Sequence, residues 1–164
     1  MRIGTKRGDG VLIAGKRMEE VDEFTYLGSI VRKKGGSDKD IQARIGKATL
    51  AFAMLKPIWR STALTTGTKL RIFASNVKAV LLYGSETLRL TKGLKQKLQV
   101  FINKSLRIIL RIWWPRGICN EELWKQTGQQ PIEEEIKQQA SSWIGHTIRR
   151  PDEHVAKRAL EWDP

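Results

Sequence analysis

Residues 91–112 read TKGLKQKLQVFINKSLRIILRI, and the period of this stretch settles the fold class. At about 100° per residue, Leu94, Leu98, Phe101, Ile102, Ile108, Ile109 and Ile112 form one broad apolar face. Thr91 offers a hydroxyl to the orphan N–H groups of the first turn, and Pro115 and Gly117 break the helix. Lys97, Lys104, Arg107 and Arg111 fall in a stripe beside the apolar face, within an arc of roughly 80°. One edge of such a helix packs on its neighbours while the next is able to meet a phosphate backbone. A solvated basic face is the plainer alternative for any single member.

The same period extends toward the N-terminus. A helix is expected from about Thr66 to Leu82, with Leu70, Phe73, Val77, Val80 and Leu81 on its apolar face and Gly84 as its left-handed stop. Before it, Ser37-Asp38-Lys39-Asp40 has the capping-box form. Ile41, Ile45, Ala48, Phe52 and Leu55 then recur at helical spacing, and Pro57 marks that helix's end. Toward the C-terminus, shorter helices are expected over residues 121–126, 132–149 and 153–160. Pro131 suits the first turn of the middle one, and Glu133, Glu134 and Glu135 complement its dipole.

The first 34 residues have a different period. Val11, Leu12 and Ile13 form a short apolar run closed by Gly15. From Val21 to Leu27 the side chains alternate between two faces, and Gly35-Gly36 supplies a turn. The fold class expected is therefore mainly α with a small N-terminal antiparallel β-meander, a helical bundle and shorter C-terminal helices. The natural divisions are residues 1–36, 37–118 and 119–164.

Charge follows these divisions. The 30 Lys and Arg against 17 Asp and Glu give a formal charge of +13. The first 118 residues carry a net +16 and the last 46 a net −3. A surplus confined to one part of the chain suits a polyanion, since each neutralised phosphate releases counterions. Mere solubility needs only a modest excess of either sign. Basic positions on the second and third helices, Lys69, Arg71, Lys78, Lys97, Lys104, Arg107 and Arg111, are the candidate backbone contacts.

Cys119 is the only cysteine, which excludes an intramolecular disulfide and makes an intracellular location the default, with the nucleus as a compatible compartment. No apolar run approaches the length of a membrane span. Catalytic chemistry has no visible foothold. Phosphoryl transfer by two metal ions needs converging carboxylates, and the six aspartates (Asp9, Asp22, Asp38, Asp40, Asp152, Asp163) include no adjacent pair. His146, His154 and Cys119 match no zinc spacing. No catalytic residue, metal ligand or cofactor site is assigned.

One further segment narrows the reading. Phe24-Thr25-Tyr26-Leu27-Gly28-Ser29, placed before a basic helical region, resembles the motif that follows the palm in reverse transcriptases of non-LTR (LINE-like) retrotransposons. The similarity continues in order. Asp40-Ile41-Gln42-Ala43-Arg44-Ile45, with Ala48, Phe52, Leu55 and Trp59-Arg60, is similar to the first thumb helix. Thr68-Lys69-Leu70 and the segment from Val80 to Thr87 are similar to the second. Asn103 to Arg107, Trp124 and Trp143-Ile144-Gly145-His146 resemble the segment after the thumb. The chain departs from the family at Leu88, Ser105, Gln138 and Gln139, where tryptophan, cysteine and arginines are common, as in a drifted copy.

The resemblance implies a thumb-like bundle and a primer grip formed by Phe24, Tyr26, Leu27 and Gly28. It implies an RNA/DNA template–primer as partner, together with a palm domain whose catalytic aspartates lie upstream of this chain. Mg2+ would be required only with that palm, so the chain is not expected to be an enzyme by itself. Met1 to Thr5 then read as the middle of a longer frame. Two alternatives stand beside this: a stand-alone, domesticated nucleic-acid-binding module, and a protein-interaction module with incidental charge.

Overall fold

The computed structural model describes residues 12, 13, 15–18, 21–26, 29–32, 37–85, 90–113, 115 and 117–161. Strand β1 (Leu12–Ile13) pairs antiparallel with β2 (Lys16–Arg17), and β3 (Glu23–Tyr26) with β4 (Ser29–Arg32). Among the described residues these are two separate two-stranded ladders rather than one meander. A lone hairpin is marginal in water, and β4 is anchored to the first helix, α1 (Asp38–Met54). The Ile30 amide donates to Asp40 Oδ1 at 2.9 Å, and Arg44 Nη2 donates to Ser29 Oγ at 2.6 Å.

Those bonds replace the expected capping box. Ser37 makes no side-chain cap bond, and the Asp40 carboxylate faces inward, its second oxygen accepting from Arg44 Nε at 2.8 Å. Both side chains are buried. Such a pair is retained at a desolvation cost, and losing one member typically costs about 3–5 kcal/mol because the other charge stays buried.

Helix α1 ends at Met54, just before Pro57 as expected, but Pro57 does not close the helical region. It opens α2 (Lys56–Arg60), occupying a first-turn position where its missing N–H removes no bond. Trp59 is buried here, its Nε1 donating to the Phe52 carbonyl at 2.8 Å. Phe52 stacks on Trp59 at 5.0 Å between centroids and meets Phe73 edge-on at 6.2 Å, the two geometries ring quadrupoles favour.

The next helix is continuous but not regular. α3 (Thr66–Ile72) is capped by Thr65, whose Oγ accepts from the Thr68 amide at 3.2 Å. A π-helical segment, Phe73–Lys78, follows and leads into α4 (Ala79–Leu82). Gly84 ends it with φ +64°, as expected. The π turn absorbs one residue beyond the α-helical count, so positions after it are turned by one. Val77, Lys78, Leu81 and Leu82 are buried, while Val80, expected on the apolar face, is exposed.

α5 (Lys92–Leu110) crosses the bundle, with Leu94, Leu98, Ile102, Leu106 and Ile109 buried. α6 (Asn120–Thr127), α7 (Ile132–Ile148) and α8 (Val155–Glu161) complete the described chain. Leu123, Ile132 and Ile136 join the same buried cluster as Ile41, Phe73 and Leu98. Each such buried side chain contributes about 1.5–3 kcal/mol relative to exposure. A polar node also ties these helices together. Asn103 Oδ1 accepts from Gln99 Nε2 at 2.8 Å and Trp124 Nε1 at 2.9 Å, and Gln99 Oε1 takes the Ile132 amide at 2.7 Å. Asn103 thereby satisfies its oxygen inside the core, as buried polar groups must.

Candidate nucleic-acid interface

The structure divides the candidate basic residues into two groups. Lys69 and Lys78 leave the set of backbone contacts, because both are buried and bonded internally. The Lys69 ammonium donates to the carbonyls of Ser61 at 2.6 Å and Trp59 at 3.2 Å, closing the end of α2. The π turn carries Lys78 inward, where its Nζ lies 2.6 Å from Glu135 Oε2 and 2.6 Å from Gln129 Oε1. A buried ammonium with two of its three donors so engaged has little left for a phosphate.

The α5 stripe is partly retained. Lys97 and Lys104 are exposed and have no carboxylate partner among the described residues. They stand seven residues apart, about 10 Å along the helix axis and on one line. Arg107 is half-buried and latches the following loop, donating to the Ile118 carbonyl at 3.2 Å and Asn120 Oδ1 at 2.9 Å. Arg111 lies just past the helix, in the left-handed region at φ +55°. Its Nη2 donates to the Arg60 carbonyl at 2.6 Å. Arg71 is exposed on α3.

Arg111 leads into a cleft of about 300 Å³ lined by Lys56, Trp59, Arg60, Ile108, Arg111 and Trp113. Among the described residues three cations line it and no carboxylate does. Trp113, 62% exposed, presents a ring to solvent at this cleft. An exposed aromatic among cations is the combination that stacks a base while holding its backbone. Lys104 is one turn before Ile108 on the same helix, so the cleft continues the Lys97–Lys104 line. Sequence reading missed Lys56, Arg60 and Trp113. Pro57 looked like a terminator, which hid α2, and Trp113 followed the end of the periodic pattern.

The hairpin residues stand as follows. Phe24 is exposed on β3, and Tyr26 is placed at the end of that strand, opposite Ser29. Leu27 and Gly28 lie outside the described residues. Met18, Val21 and Phe24 are each exposed.

A transposon-derived protein is similar to this chain. It is the "Putative uncharacterized transposon-derived protein F52C9.6" of Caenorhabditis elegans, 26% identical over 154 residues, covering 90% of this chain and 54% of the relative. The chain thus spans about half the length of that curated relative. A family described as "Domain of unknown function (DUF6451)" matches residues 51–83. That segment begins near the end of α1 and runs through α2, the π turn and α4. No solved structure matches the chain.

Titration at the surface is governed by ion pairs. The Lys95 ammonium, bonded to Glu133 Oε1 at 3.0 Å, holds the Glu133 carboxyl below its ordinary value, with Lys137 adding to the effect. Lys39 does the same for Glu23 on the β3 strand. Among the described residues no group of three His, Cys, Asp or Glu could hold a metal ion, and no helix is long and apolar enough to cross a membrane.

Proposed function

We propose that this chain is the nucleic-acid-gripping part of a retrotransposon RNA-directed DNA polymerase. It holds a template–primer duplex through its backbone while a palm elsewhere in the parent polymerase performs the chemistry. The observation that carries this reading is the cleft of Lys56, Arg60, Arg111 and Trp113, with no carboxylate among its described lining, continued along α5 by Lys97 and Lys104. Similarity to a transposon-derived protein supports the source of the chain. Phe24 is exposed on its strand, which is compatible with a palm docking on the hairpin side; the exposure of Val11–Ile13, the other half of that surface, lies outside the described side chains.

The experiment is salt-dependent binding to an RNA/DNA heteroduplex, followed by fluorescence anisotropy. The affinity should fall steeply between about 50 and 200 mM salt. Replacing Lys56, Arg60, Lys97 and Lys104 together by alanine should flatten the log–log slope by about 0.9 for each phosphate no longer neutralised. These four side chains are exposed, so the variant should melt as the parent does. An unchanged slope would sink the proposed interface. Nucleotide incorporation by the chain alone would refute the division of labour with the palm.

A further inference from the structure

Tyr83, 63% exposed, stands between two clefts and lines both. One is a cavity of about 570 Å³ between α4, the α6–α7 turn and α7, with Lys78, Gln129, Gln130, Glu135 and Gln139 among its walls. The other, about 320 Å³, lies over α1 and is lined by Arg44, Lys47, Ala79 and Val80. The first presents side-chain amides; the second presents the exposed Lys47 over the buried Arg44, with no carboxylate among its described lining.

The Gln129 amide has a defined polarity. Lys78 has donors only, so the Gln129 oxygen must face it and the Gln129 NH2 group must face away. As placed, Gln139 Oε1 accepts from Ser85 Oγ at 3.3 Å and its NH2 group is not used in that bond, although a serine hydroxyl, unlike an ammonium, would serve either end of the amide. Neither NH2 group has a partner among the described residues. Lys78 and Glu135 compensate each other at 2.6 Å, so this pair adds no excess charge to the cavity. On the other side of Tyr83, Lys47 is exposed and has no carboxylate partner among the described residues. Arg44 is 3% exposed, and its Nη1 has no hydrogen-bond partner among the described residues.

We infer that this pair of clefts holds one unpaired nucleotide of a bound strand. Its base enters the glutamine cavity against the Tyr83 ring, and its phosphate rests on Lys47. The two NH2 groups select a base edge made of acceptors, which guanine provides with N7 and O6 and adenine does not, since its N6 is a donor. Stacking an unpaired base on an aromatic ring and bonding its edge is the usual way a single-stranded residue is read. The inference rests on the nucleic-acid reading above but concerns a different place. The clefts flank the α4 end of the bundle and share no residue with the Trp113 cleft.

The test uses the full chain and three RNA/DNA heteroduplexes: blunt, with one unpaired 3′ guanosine, and with one unpaired 3′ adenosine. The guanosine overhang should bind about fivefold or more tightly than the blunt duplex, the scale of one stacked base, and more tightly than adenosine. Tyr83→Ala should abolish that advantage while leaving blunt-duplex affinity unchanged, and Tyr83→Phe should keep it. Lys47→Ala should reduce the advantage, and Gln139→Leu should narrow the preference for guanosine. Equal affinity for blunt and overhanging duplexes overturns the nucleotide site while the backbone interface stands. So does an advantage that survives Tyr83→Ala. Binding to no duplex overturns both.

Discussion

Arg111 stands at a helix end and lines the proposed interface cleft as well. Its φ of +55° places a β-carbon where left-handed backbone costs about 1–2 kcal/mol for an ordinary residue. The position is the left-handed stop of α5, with the Ile112 amide bonded back to the Arg107 carbonyl at 2.9 Å. Glycine would remove the strain but also the bond from Arg111 to the Arg60 carbonyl, and each effect is about 1 kcal/mol. Arg111→Gly should therefore melt close to the parent, whereas Arg111→Ala, which keeps the strain and loses the bond, should be less stable by about 1 kcal/mol. Both should weaken heteroduplex binding. Thermal denaturation beside anisotropy separates these effects, and a more stable alanine variant would contradict the backbone argument.

The π turn is the corresponding feature among the elements. Regular α-helical spacing from Phe73 would bury positions three, four, seven and eight residues on. The residues buried are Val77, Lys78, Leu81 and Leu82, each one position later. A single extra residue, accommodated by the wider turn, accounts for the whole displacement. Ser75 is exposed on that turn. Deleting it should let the helix run as regular α while Val77, Leu81 and Leu82 stay inside, and circular dichroism and the melting curve should survive. A chain that no longer folds would show that the π turn is held by more than the count. The same displacement turned Lys78 from an expected phosphate contact into a buried partner of Glu135. Periodicity could not reveal it, because a one-residue insertion leaves each flanking half locally regular.

Across the whole molecule, the C-terminal helices are joined to the basic bundle by apolar packing at Leu123, Ile132 and Ile136 and by the Lys95–Glu133 pair between α5 and α7. The Glu133 carboxyl lies below its ordinary value in the folded chain, through its bond to Lys95 and that ammonium's charge. A carboxyl depressed on folding stabilises the protein above the unfolded value, and that contribution is lost as pH falls through the folded one. The carboxyls of Glu23, Glu121 and Asp152 are depressed as well, so they act with the same sign. The melting temperature should drop as pH falls below about 4.5, and Glu133→Gln should drop less steeply. Equal slopes in the two proteins would remove Glu133 from the link. The pair is exposed, so added salt should also reduce the difference.

Much of this architecture was legible in the sequence. The period of residues 91–112, the Gly84 and Thr91 helix boundaries, the antiparallel N-terminal strands and the short C-terminal helices all follow from local rules. Those rules concern neighbours one turn away, and such neighbours are fixed by the chain itself. The asymmetric charge likewise needed no structure to point to a polyanion. The tertiary structure alone decided which cations face water. It turned Lys69 and Lys78 inward, tied Arg107 and Arg111 to carbonyls of other segments, and set Lys56, Arg60 and Trp113 around one cleft. Exposure and convergence depend on residues distant in sequence meeting across the core. Helical phase assigns a side chain to a face of its own helix, but only packing determines whether that face is covered.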